Sequence, residues 1–214
     1  YTWSLPNMFR QSVEENGNTV KHVKSFHQNS GKFYNRDVMH EGIGFDELIS
    51  IEDMGKYGVH GSSDGDSWKK GEMTLDSLTV EKLQDEMFPE TAENEQYLTY
   101  WITYIMHGEY NYNPKFKAEG YYDKLDEVGA YPAGVSDKAD SLRTYAAAVM
   151  DFDRALGIIM NKLEENGDLD NTTIVMFSDH NTYYDSLCYY AKDIDERYNS
   201  ELYRVPVMIY DEKL

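Results

Sequence analysis

The sequence predicts an α/β fold with a mainly parallel central sheet flanked by helices, and three stretches carry that prediction. Residues 172–177, Thr-Thr-Ile-Val-Met-Phe, form a β-branched and aromatic run that breaks off at Asp179-His180. Introduced by the turn-like Asp168-Leu169-Asp170-Asn171, this run suits a strand buried on both faces. Just before it, Leu142, Tyr145, Val149, Phe152, Leu156, Ile159 and Leu163 alternate steps of three and four. That spacing gives a helix from Asp137 to about Asn166 with one apolar stripe, the pattern of a crossover helix packed on a sheet. Finally, residues 98–106 are rich in Tyr, Trp, Ile and Thr and end at His107-Gly108, a second strand that delivers a polar side chain at its C-terminal end.

The remaining elements follow in chain order. Ser4 is a fitting cap for a first helix whose Leu5, Met8, Phe9 and Val13 share a face, with Pro6 in the first turn and Asn16-Gly17 at the stop. A strand over about 19–26 comes next. The segment from His27 to Asn35, with Asn29, Ser30 and Gly31, should turn back over that strand's end, so that His27 and Arg36 face one site. Residues 41–71 mix Gly, acids and Ser and read as irregular structure, while 74–87 suits a helix with Leu75, Leu78, Leu83 and Met87 apolar. Residues 108–135 read as a long loop carrying tyrosines. Ser136 and Gly167 suit the start and stop of the long helix. Residues 183–199 are mixed and in part helical, and 202–210 closes the pattern as a strand with Pro206 marking an edge or an end.

At 214 residues the chain suits one domain, 1–214. A net charge of -19 excludes a sequence-independent grip on nucleic acid and a broad attraction to anionic lipid. A phosphate-bearing ligand would need a locally positive site, which a metal ion, Arg36 and a few histidines can supply. The single cysteine, Cys188, excludes an internal disulfide and suits a packed thiol. There is neither an apolar run long enough to span a membrane nor a signal-peptide pattern at Tyr1.

Asp179 and His180 lie where α/β sheets gather ligands, outside the carboxyl end of a strand, and their oxygen and nitrogen donors suit Mn²⁺, Mg²⁺ or Zn²⁺. Taken one at a time, His27 and His107 read more readily as ordinary strand-end histidines, and Arg36 as the ion-pair partner of Asp37 or Glu41. Their order and spacing change that weighting. Ser25-Phe26-His27 with Phe33-Tyr34-Asn35-Arg36-Asp37, Trp101 to His107, Ser178-Asp179-His180 and Tyr203 to Tyr210 together resemble the sulfatase-type catalytic domain of lipoteichoic acid synthases and related phosphoglycerol transferases, within the alkaline phosphatase superfamily.

The resemblance implies an alkaline phosphatase-like fold, with Asp179 and His180 as metal ligands and His27, Arg36 and His107 around a phosphoglycerol head group. It further implies a metal-activated Thr nucleophile and a Glu ligand, neither matched within residues 1–214, so no catalytic residue is assigned here and the chain is expected to be a partial domain. The implied partners are a phospholipid head group or glycerol phosphate polymer, at the extracytoplasmic face of a bacterial membrane and tethered through segments outside this chain. Asn29, where the family tends to carry an acid, and Asn181-Thr182, where it carries an aromatic residue and a glycine, are departures that bear on the substrate. The competing expectation is a non-catalytic domain of the same fold that binds an anionic glycan or a protein partner.

Overall fold

The structure, a computed structural model, describes residues 3–63, 72–130, 136–180 and 204–213. Its centre is a three-stranded parallel sheet in the order β2-β1-β3, with β1 Thr19–His27 between β2 Glu47–Ser50 and β3 Glu95–Ile102. Register matters most at the C-terminal edge, where His27 of β1 pairs with Ser50 on one side and Ile102 on the other. A central parallel strand must be covered on both faces, and Val23 and Phe26 are fully buried accordingly.

Helices supply the cover. α4 (Asp76–Met87) and α7 (Asp137–Asn166) pack together and close one face over Phe26 and Ile49, with Val80 of α4 in the same core. The opposite face receives α2 (Arg36–Gly42), whose buried His40 meets Ser25 Oγ through Nδ1 at 2.8 Å. α1 (Leu5–Glu15) packs on β1 and β3, and the short α3 (Ile51–Met54) follows β2 directly. The long helix has the predicted ends: Ser136 Oγ accepts from the Ala139 N–H, and Gly167 takes the left-handed conformation at φ 75° that closes a helix without a Cβ penalty.

α4 is capped differently. Its N-cap is Leu75, which has no acceptor to offer, so the carboxylate of Asp151 on α7 reaches across and takes the N–H groups of Asp76 at 2.8 Å and Ser77 at 3.3 Å. A helix start satisfied by another helix couples the two elements in position as well as in energy.

Several expectations are corrected. The strand expected to be buried on both faces, β4 (Ile174–Phe177), pairs antiparallel with β5 (Val207–Tyr210) in a separate two-stranded sheet, and Val175 and Phe177 are more than half exposed. In α1, Val13 and Pro6 are the buried positions while Leu5 and Met8 face solvent. The stretch read as irregular holds β2 and α3, and the stretch read as a long loop holds α5 (Pro114–Ala118) and α6 (Tyr121–Glu127), whose buried Phe116, Tyr121 and Tyr122 form a second core with Tyr104. Asn113 caps α5 by accepting from Lys115 N–H, a start signal hidden by its setting among tyrosines and glycines. The segment 183–199 and Cys188 lie outside the described residues. Among the described residues no helix is long and apolar enough to cross a membrane.

Candidate functional site

A cleft of about 800 Å³ runs between β3 and β4, and its C-terminal end gathers the residues singled out from the sequence: His27, Arg36, His107, Asp179 and His180 all line it. Each arrives by a different route. His27 is the last residue of β1, Arg36 the first of α2, His107 sits five residues beyond β3, and Asp179-His180 follow β4. Rings link them in series: His27 lies edge-on to Tyr104 at 5.6 Å, Tyr104 is 6.3 Å from His107, and His107 stands edge-on to His180 at 6.4 Å.

His27 is 2% exposed, and its Nδ1 lies 2.9 Å from the carbonyl oxygen of Ile102. A carbonyl can only accept, so Nδ1 carries the proton and Nε2 of the neutral ring is left as an acceptor, buried and without a partner. Burial pushes the imidazole pKa down to about 4, with the Ile102 carbonyl opposing the shift and the Arg36 charge adding to it. His107 is also lowered, first by burial, while its ring bonds the Gly108 carbonyl.

Arg36 makes no ion pair with Asp37 or Glu41. Its guanidinium lies 5.4 Å and 5.7 Å from the rings of Phe33 and Tyr34, and its Nη1 is out of solvent with no partner among the described residues. The two residues before it, Tyr34 and Asn35, adopt the left-handed region at φ 59° and 52°, a turn that L side chains rarely take and that swings Arg36 back towards the cleft. Asn29 lines the same wall, its Oδ1 accepting from the Ser30 N–H.

Asp179 and His180 are the exposed members of the set. Their side chains come within 3.5 Å, Asp179 Oδ1 accepts the His180 N–H at 2.8 Å, and Ser178 Oγ donates to the His180 carbonyl at 2.7 Å. As donors they suit a borderline or hard divalent ion, but among the described residues no group of three or more His, Cys, Asp or Glu side chains is placed to hold one. Two such donors are half of what a four-coordinate shell needs.

Three residues in this region went unread in the sequence. Tyr104, 4% exposed, stands between His27 and His107, and Gln28 and Asp76 tie the ends of β1 and β3 together below the site. Tyr104 falls within the 98–106 run that suits a strand, and Asp76 within the 74–87 helix, where its type carries no signal of its own. Nothing in the sequence alone marks that acid as buried.

The sulfatase family pattern matches residues 21–214. The chain belongs to the sulfatase family. Among solved structures, the lipoteichoic acid synthase LtaP from Listeria monocytogenes is similar over 95% of this chain and 46% of its own, at 21% identity and a TM-score of 0.62. The Streptococcus pyogenes phosphoglycerol transferase GacH, solved with sn-glycerol-1-phosphate, covers 91% and 44% at 16% identity and a TM-score of 0.54. An alkaline phosphatase superfamily protein from Vibrio parahaemolyticus covers 96% and 41% at 15% identity and a TM-score of 0.53. These likenesses show the alkaline phosphatase/sulfatase-type fold, and the sulfatase-family chain described here spans under half the length of each of the three. No curated protein matches it.

Proposed function

We propose that this sulfatase-family chain forms the head-group side of a phosphoglycerol transferase, which moves glycerol phosphate from a lipid donor to a polymer or glycan acceptor. The observation that carries the reading is the unpartnered Arg36 Nη1, held out of solvent at the end of a cleft whose other walls present His27, His107, Asp179 and His180. A guanidinium in that position is ready for phosphate oxygens, which it can grip with two parallel hydrogen bonds. The neighbouring His27 Nε2, an acceptor in the neutral ring, suits a glycerol hydroxyl, and an arriving phosphate would favour its protonated form. The fold's likeness to LtaP and GacH supports the same substrate class.

Asp179 and His180 would hold one edge of a divalent ion, Mn²⁺ by their carboxylate and imidazole character, with Mg²⁺ or Zn²⁺ as the other choices. When bound, such an ion neutralises phosphate charge and makes an attacking hydroxyl more acidic. The nucleophilic Thr and a further Glu ligand would come from outside residues 1–214, so this chain alone is expected to bind rather than turn over. In that reading the enzyme works at the extracytoplasmic face of a bacterial membrane, tethered through other segments.

The test is a titration of the chain with glycerol 1-phosphate, followed through the histidine ring and arginine side-chain NMR signals. Binding that perturbs His27 and His107 and weakens about ten- to hundredfold in Arg36→Lys supports the reading, since one charge-assisted contact is worth roughly 1.5–3 kcal/mol. Binding indifferent to Arg36→Lys, or none at all, would overturn it.

A further inference from the structure

We propose that Asp76, fully buried behind the cleft's lining, is the positioning residue that sets the spacing of His27 and His107; the proposal rests on the reading of those two histidines as head-group contacts. The β1–β3 ladder ends at the pair His27–Ile102, and beyond it the two chains would be free to part. Asp76 spans the gap. Its Oδ1 accepts the N–H groups of Tyr104 at 3.0 Å and Ile105 at 3.3 Å, two and three residues beyond the end of β3, together with the side-chain amide of Gln28, the residue after His27. Gln28 in turn accepts the indole N–H of Trp101 through Oε1 at 3.1 Å, which closes a ring of contacts joining β1, β3 and the first turn of α4.

The carboxylate also explains why β3 stops where it does. The apolar run continues to Met106, yet the strand ends at Ile102, because the next N–H groups turn inward to a single oxygen rather than along the sheet. His107 is thereby carried back over the cleft instead of onwards with the strand. Asp76 is itself held from behind, since its own N–H is taken by Asp151 of α7. Its Oδ2 has no partner among the described residues, so the contacts it makes through its carboxyl are those that Oδ1 gathers. Burial, and beyond it the nearby Asp151 charge, push its pKa up to about 7, against the hydrogen bonds from Tyr104, Ile105 and Gln28 that act to lower it.

The experiment uses the whole 214-residue chain. Asp76→Ala removes the acceptor and Asp76→Asn keeps one in place. In ligand-free protein, Asp76→Ala should move the ring signals of both His27 and His107 and speed amide exchange at Tyr104 and Ile105, while Asp76→Asn should restore both. Glycerol 1-phosphate affinity should fall about tenfold in Asp76→Ala, the usual scale for losing an orienting partner. Should Asp76→Ala fail to fold, Gln28→Ala takes its place: it unties only β1, so the His27 signal should move and the Tyr104 and Ile105 amides should stay protected. Unchanged histidine signals in a folded Asp76→Ala, or an unmoved His27 signal in Gln28→Ala, overturn the proposal. Failure of the wild-type chain to bind glycerol 1-phosphate would instead remove the head-group reading, and the ligand-free spectra would still decide whether Asp76 sets the histidines' positions.

Discussion

The two sheets that flank the cleft are built to different standards. On one side, β1 lies between two parallel partners, Phe26 is fully buried, and the ends of β1 and β3 are tied by side chains: His27 to Ile102, Gln28 to Trp101 and Asp76 to the turn after β3. On the other, among the described residues β4 and β5 pair only with each other, and Val175, Phe177, Val207, Met208 and Ile209 are each half exposed or more. The difference divides the labour of the site. Groups proposed to recognise a head group stand on the rigid side, where distances can be held to fractions of an ångström; the two proposed metal ligands stand on the sparsely covered side, where an ion and its further ligands would themselves supply order.

The comparison breaks most visibly on stability. Phe26→Ala should cost about 3–5 kcal/mol, since the residue is sealed between helices and sheet and the cavity cannot collapse. Phe177→Ala, 58% exposed, should cost under about 1 kcal/mol. Urea unfolding of both variants measures the gap, and equal losses would show that the two sheets are equally packed in solution.

Next in size is a metal effect. If Asp179 and His180 are the proposed ligands, they would supply only about half of a coordination shell, so Mn²⁺ should bind this chain weakly and Asp179→Ala should abolish that binding. Calorimetry giving tight one-to-one binding would mean that other side chains complete the site, and Glu109, or Asp185 outside the described residues, would be examined first.

The rigid side also carries a pH signature. Asp76 has its pKa raised to about 7 in the folded chain against an ordinary value of 3.8, so the folded state holds its proton more tightly than the unfolded one. The stability this gives is complete below about pH 4 and is lost as pH rises through 7, at up to about 1.4 kcal/mol for each unit. His27, lowered to about 4, works in the opposite sense, costing stability as pH falls below 6.5. Subtracting the stability–pH curve of Asp76→Asn from that of the chain isolates the Asp76 part, which should decline between pH 4 and 7. A flat difference would place the carboxyl nearer to water than its full burial indicates.

How much of this could be read from the sequence also divides along the same line. The long helix, its caps, β1, and the placing of His27, Arg36, His107, Asp179 and His180 along one cleft were legible, because periodicity and strand-end placement are local properties. What escaped were features decided at long range. Asp76 looks like an acid suited to a helix start, and only the approach of β1 and β3 turns it into a buried acceptor. β4 has the composition of a strand covered on both faces, yet coverage depends on which elements lie beside it, and composition cannot say that. Likewise α5 and α6 are short helices stabilised by their packing on α7, among residues whose own propensities favour a loop.

The smallest expected effect sharpens the contrast most. Val175 and Ile209 sit directly opposite each other in the β4–β5 ladder, 52% and 60% exposed. An apolar cross-strand pair of this kind contributes roughly 0.2–1 kcal/mol when its face is open to water. Replacing both by Thr keeps the β-branched shape, preserves strand propensity and removes only apolar area that is already half wet. The double variant Val175→Thr/Ile209→Thr should therefore unfold within about 1 kcal/mol of the original chain. A loss above about 2 kcal/mol would require these side chains to be covered in solution, because transfer of two exposed side chains cannot account for it. That outcome would erase the difference between the two sheets from which the division of labour at the site is argued.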